Sequence, residues 1–244
     1  LAKDGIAVFS ADDRWADLWR RQCSACRTMT FGFERSADVQ GESFIRGLES
    51  RLRVKTASEE IEVELGLPGR HNASNALAAA TACLASGISL ACVGVGLRTF
   101  RGMKGRLQRR AAMHGAILLD DAYNANPDSV RAGIDVLAAT VGRKVLVLGD
   151  MGEIGEMSAQ FHDEIGGYAK SQGIDRLLAL GTLSAIAARN FGSGGDHFDQ
   201  IDKLLAVLNV ELMPQTTVLV KGSRFMRMER VADAISVTGA AGEV

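Results

Sequence analysis

The side chains best suited to chemistry fall in a few short segments. Asp120-Asp121-Ala122-Tyr123-Asn124-Ala125-Asn126 places two carboxylates, a tyrosine and two carboxamides directly after an apolar run, Ala116 to Leu119. Turns favour Asp and Asn, but a turn does not need so many of them. Gly149-Asp150-Met151 follows the apolar run Lys144 to Leu148 in the same way, and Lys221-Gly222-Ser223-Arg224 follows Thr217 to Val220. Each cluster alone is ordinary turn chemistry. If the three runs are strands of one parallel sheet, all three clusters lie on its carboxyl rim, where ligands bind. Upstream, in Pro68-Gly-Arg-His71-Asn72-Ala-Ser-Asn75, Asn72 and Asn75 sit one turn apart at a helix start. Two carboxamides there could read an adenine edge, or they are an N-cap and a spare Asn. Arg98, Arg101, Lys104, Arg106, Arg109 and Arg110 form an acid-free basic stretch. Most of them suit a solvated hinge between domains, and one or two suit a phosphate.

Other chemistries are not visible. No G-x-x-x-x-G-K-[ST] and no G-x-G-x-x-G after a strand occurs in these residues, which disfavours a self-contained nucleotide hydrolase or a dinucleotide-dependent oxidoreductase. The G-x-S-x-G spacing of a nucleophile elbow is also missing. Cys23-Ser-Ala-Cys26 has no second pair at ligand spacing, so free thiols are expected rather than zinc or disulfides, in a reducing, cytoplasmic setting. His162 reads as a surface or helix-packing residue, and neither His114 nor His197 receives a role.

The 244 residues are 47% hydrophobic and 23% charged with net charge −1, which gives no global field for nucleic acid or an anionic membrane. Residues 1 to 110 are nevertheless basic, 17 Lys and Arg against 12 Asp and Glu, and residues 111 to 244 acidic, 11 against 17. Ala76 to Leu97 is uncharged, but its Ala, Ser, Thr and Gly content and the Ser86-Gly87 break predict two buried helices rather than a membrane span.

These residues need elements to hold them. Strands are expected over Gly5 to Ser10 and Thr28 to Phe33, and two or three antiparallel strands over Ser43 to Leu67, where Leu52-Arg-Val-Lys-Thr and Ile61-Glu-Val-Glu-Leu alternate. Short helix Trp15 to Arg21, then Asn72 to Ala85 and Leu90 to Phe100, complete the first part. From Ala116 onward, apolar strands alternate with amphipathic helices over Ser129 to Thr140, Ser158 to Gln172, Leu183 to Asn190, Asp202 to Leu208 and Met226 to Ile235. That rhythm predicts an α/β fold with a doubly wound parallel sheet.

GRHNxxNxxAA, Gly105-Arg106, DDAYNANPDS, LGDMGEIG and KGSRxxxME, in this order and spacing, resemble the Mur ligase family, the ATP-dependent ligases that add amino acids to peptidoglycan precursors. The last three motifs point to the branch that joins D-alanyl-D-alanine to a UDP-N-acetylmuramoyl-tripeptide. The resemblance implies that residues 1–105 are the end of the central ATP-binding domain and 106–244 a Rossmann-like C-terminal domain. The family's UDP-sugar domain, phosphate loop and carbamylated lysine would lie upstream. The start at Leu1 without Met reads as a fragment of a longer chain, inactive alone. It further implies ATP and Mg2+ as cofactors, the metal held mainly by upstream residues. His71, Asn72, Asn75, Arg106 and Asp121 would bind nucleotide: the asparagines adenine, Arg106 phosphate and Asp121 ribose. Tyr123, Asn124, Asn126, Asp150, Lys221, Ser223 and Arg224 would surround D-Ala-D-Ala. Domain closure about the basic stretch would then assemble the site. The expected working form is a cytoplasmic monomer without nucleic-acid or membrane partners. A non-catalytic ligand-binding module and another amino-acid-adding Mur ligase are the alternatives.

Overall fold

The computed structural model describes residues 4–237, which divide after Arg101 into two compact units. The first unit is built on a five-stranded sheet, β1 (Ile6–Ser10), β2 (Arg27–Gly32), β3 (Val39–Arg46), β4 (Glu49–Lys55) and β5 (Glu60–Leu65), in that spatial order. β1 to β3 run parallel, and β4 and β5 turn back antiparallel. Alternation does what it predicted: Leu52 and Val54 are fully buried, while Arg53 between them faces Glu42 and Glu62 across the outer face. Helices α1 (Ala16–Gln22), α2 (Arg70–Ala85) and α3 (Leu90–Thr99) follow the expected segments. Leu77, Ala80, Leu90 and Val93 from α2 and α3 close the core over Val39, Leu52, Val54 and Val63. The uncharged run does break at Gly87, whose φ of +83° suits glycine after a helix end. α3 is less buried than expected, because Val95 on its outer side is 60% exposed. Asp12, just past β1, accepts the backbone N–H groups of Phe33, Glu34 and Arg35 and so fixes the loop after β2. Burial alone would raise its carboxyl pKa, but those three donors outweigh it and the net shift is downward.

The second unit holds a six-stranded sheet of β6 (Gln108–Ala111), β7 (Ile117–Asp121), β8 (Arg143–Gly149), β9 (Arg176–Leu180), β10 (Gly195–Phe198) and β11 (Thr216–Lys221). Its order is β10-β9-β8-β11-β7-β6, parallel throughout except for antiparallel β6. Helices α4 (Pro127–Ala138), α5 (Ser158–Ser171) and α6 (Ser184–Phe191) cover one face. On the other face α7 (Ile201–Glu211) and α8 (Glu229–Ile235) pack Leu204, Leu208, Val231 and Ile235 on Val145, Val147, Val218 and Val220. Both faces are therefore covered, which is why these strands read as continuous apolar runs.

Three elements depart from expectation, and one of them, edge strand β10, was not expected at all. Part of the supposed solvated hinge is edge strand β6, and Arg110 on it pairs at 2.9 Å with the fully buried carboxylate of Asp120 and with Asp233 of α8. The helix expected from Met226 begins at Glu229, after a 3-10 turn over Arg224–Met226.

Candidate functional site

Parallel register places Lys221 of β11 opposite Asp121 of β7 on one side and beside Leu148 of β8 on the other. The three polar clusters thus share one rim, with the last strand of the sheet between the two that precede it. Lys221 is only 2% exposed, and its Nζ donates to Asp121 Oδ2 at 2.6 Å and to the Asn124 carbonyl at 3.0 Å. Burial pulls the pKa of this ammonium below its usual value, Asp121 pushes it back up, and the Arg106 charge adds to the fall. A buried ammonium is costly without such partners, so Lys221 is a clamp between two loops rather than an exposed ligand contact. Asp121 also accepts the Leu107 N–H at 3.1 Å, which ties the segment before β6 to the same knot. Asp120, alternating to the opposite side, is taken by Arg110 and the Ala122 N–H.

Tyr123 stands exposed at the lip, its backbone N–H held by the Gly105 carbonyl. Its ring carries the Arg106 guanidinium at 4.1 Å and that of Arg224 at 5.7 Å from the centroid. Arg224 also meets Glu229 at 3.2 Å, with 64% of its side chain exposed. Exposed pairs of this kind contribute roughly 0–1 kcal/mol, so the guanidinium can turn to a ligand at little cost. The carboxamides are more committed. Asn126 caps α4 in a reciprocal box with Ser129, and the Asn124 side chain accepts the Ala125 N–H. The Asp150 carboxylate is buried, packed against Gly181 and accepting the Ser184 N–H at 2.7 Å. Ser223 is buried as well: its Oγ accepts from Gly152 N–H at 2.6 Å and donates to the Ala125 carbonyl at 3.2 Å.

Of the seven residues expected around a dipeptide, Tyr123, Asn124, Asn126 and Arg224 are exposed, and only Tyr123 and Arg224 leave their side-chain groups uncommitted to the loop backbone. Asn126, Asp150, Lys221 and Ser223 mostly hold the rim in shape. In the first unit, Gly69 rather than Asn72 is the N-cap of α2, at a φ of +97° that favours glycine. The Asn72 amide donates back to the Pro68 carbonyl at 2.8 Å, Asn75 lies exposed one turn on, and His71 precedes them.

One feature had no sequence signal. A cavity of about 420 Å3 opens beside the rim past β9 and β10, where Asp199, Asp202 and Arg230 bring both charges together around Gly181 and Met226. His162 is not a surface residue but packs inside α5, fully buried and bonded to the Met151 N–H and the Ser158 carbonyl. Among the described residues no group of three or more His, Cys, Asp and Glu could hold a metal ion.

Family models match two stretches of the chain: the Mur ligase middle domain over residues 1–83, and the Mur ligase glutamate ligase domain over residues 105–224. The UDP-N-acetylmuramoyl-tripeptide–D-alanyl-D-alanine ligase of Escherichia coli K12 is 36% identical over 98% of this chain and 54% of its own length. A crystal structure of MurF from Acinetobacter baumannii superposes with a TM-score of 0.84 at 31% identity, over 96% of this chain and 52% of that one. A MurF ligase of Thermotoga maritima, solved in complex with ADP, does so with a TM-score of 0.80 at 25% identity, over 95% and 53%. The chain spans about half the length of the curated relatives it matches. Both matched domains, the shared fold and the DDAYNANPDS, LGDMGEIG and KGSR segments on one rim lead to one assignment: the chain belongs to the Mur ligase family, on its MurF branch.

Proposed function

We propose that this chain supplies the rear part of an ATP-dependent ligase that adds D-alanyl-D-alanine to UDP-N-acetylmuramoyl-tripeptide, working as a cytoplasmic monomer. Residues 1–105 are assigned to the end of the central ATP-binding domain and 106–244 to the C-terminal domain. In the reaction, the tripeptide carboxylate accepts the γ-phosphoryl group of ATP and ADP leaves. The dipeptide amine then attacks the acyl carbon, loses a proton and displaces inorganic phosphate, leaving an amide. The observation that carries the reading is the rim itself, where the Arg106 and Arg224 guanidiniums flank Tyr123 above the buried Lys221–Asp121 pair. Cations suit a nucleotide's phosphates, and a guanidinium fork suits the terminal carboxylate of a dipeptide. No described residue is assigned as a Mg2+ ligand. The metal, which favours phosphate oxygens and water, would arrive with the nucleotide.

Steady-state kinetics on the longest natural chain carrying this sequence test the reading. Arg224→Ala is expected to raise KM for D-Ala-D-Ala well above any change in KM for ATP. Loss of stability with both constants unmoved would reduce Arg224 to its pairing with Glu229. Turnover with a single amino acid and none with the dipeptide would shift the assignment to another branch.

A further inference from the structure

We propose that His162 is a positioning residue of the rim, fixed as the neutral imidazole that carries its proton on Nδ1. The assignment follows from what faces each nitrogen. The Ser158 carbonyl, 2.7 Å from Nδ1, can only accept, so Nδ1 must donate. The Met151 N–H, 2.9 Å from Nε2, can only donate, so Nε2 must accept. The ring is fully buried in α5, and it is the acceptor for the N–H of Met151, two residues past β8.

That bond has consequences one residue along. The next N–H, of Gly152, donates to Ser223 Oγ, and Ser223 Oγ donates in turn to the Ala125 carbonyl. The Ser223 N–H closes the circuit onto the Asp150 carbonyl at 3.0 Å. One run of hydrogen bonds therefore starts at His162 and ties the loops after β8, β11 and β7 to each other. The Met151–Gly152 backbone that meets Ser223 is held on its Met151 side by His162. Packing beside this loop is close: a Cβ on Gly152 would sit 2.7 Å from the Phe225 ring, and one on Gly149 2.9 Å from the Met228 side chain. His162 reaches no ligand itself. It sets the place of Ser223 and, next to it, of Arg224.

The kinetic part of this inference rests on the ligase reading; the tautomer does not. Nitrogen-15 spectra of the histidine rings in residues 1–244 should show one imidazole, removed by His162→Gln, with Nδ1 in the protonated range and Nε2 in the imine range, its Nδ1 proton exchanging slowly. An Nε2-protonated or rapidly averaging ring would overturn the proposal. In the active ligase, His162→Leu should raise KM for D-Ala-D-Ala on the order of tenfold, the effect of one lost hydrogen bond at a positioned group, with KM for ATP nearly unmoved. His162→Gln, whose carboxamide oxygen can still accept the Met151 N–H, should recover most of that loss. Equal changes in both constants, or no rescue by Gln, would make His162 merely structural. If His162→Leu does not fold, His162→Gln and the tautomer still decide. If the parent chain ligates nothing, the ligase reading fails while the nitrogen spectra still test the ring.

Discussion

Arg106, Arg109 and Arg110 carry the same charge within five residues and stand in three different surroundings. Arg106 stacks on Tyr123 at the rim, Arg109 is exposed on the edge strand, and Arg110 is bound to Asp120 and Asp233. Arg106→Ala should weaken nucleotide binding by about 1.5–3 kcal/mol, the range for a lost charged hydrogen bond, as read by titration calorimetry. Arg109→Ala should change neither binding nor stability. Arg110→Ala leaves the Asp120 carboxylate buried without its cation, so it should cost about 3 kcal/mol of stability in urea melts while nucleotide affinity holds. Asp233 gives the same network a pH signature. Burial would raise its carboxyl, but Arg110 and Lys104 outweigh that and lower it beneath 3.8. Its contribution is therefore complete above that value and lost as the pH falls through the lower folded value. Asp233→Asn should flatten this limb of the acid unfolding curve. Arg106 could be singled out because Gly105-Arg106 belongs to a motif, but its stacking on Tyr123 could not. Arg110 was not, since its partners lie 10 and 123 residues away. Nor was His162, because what it binds is backbone, which has no residue type to recognise.

At the scale of elements, the strands that carry the rim could be read because burial on both faces demands unbroken apolar runs. β6 and β10 could not. Each has four residues, Gln108–Ala111 and Gly195–Phe198, and each lies at a sheet edge where charged side chains are tolerated. The division of labour among the polar residues was equally hidden, since a carboxamide that caps a helix and one that binds a ligand look alike in sequence. Helix packing offers a sharper test. α5 and α6 approach so closely at Gly166 that an added Cβ would lie 2.1 Å from the Ala187 carbonyl oxygen, a backbone atom that cannot swing aside. Gly166→Ala should therefore destabilise the second unit by about 1–3 kcal/mol despite its better helix propensity, measured by thermal or denaturant unfolding. Gly173, with nothing within 4 Å of its Cβ position but a φ of +75°, should lose stability on substitution through backbone strain alone.

The whole molecule carries a convenient optical asymmetry: both tryptophans, Trp15 and Trp19, lie in the first unit, and both tyrosines, Tyr123 and Tyr168, in the second. Each unit closes its own core, so Leu52→Ala and Leu178→Ala should each cost about 2–5 kcal/mol. Tryptophan fluorescence should follow the first loss and tyrosine absorbance the second. The placement of β11 between β8 and β7 also bears on how the protein is made. A ribosome delivers β7 and β8 about seventy residues or more before β11, and until that strand arrives two apolar edges have no hydrogen-bonding neighbour. The nascent chain must therefore carry an open slot in the middle of its sheet through nearly half of the synthesis of this unit, and this interval is where a chaperone or a second copy of the strand would find its template.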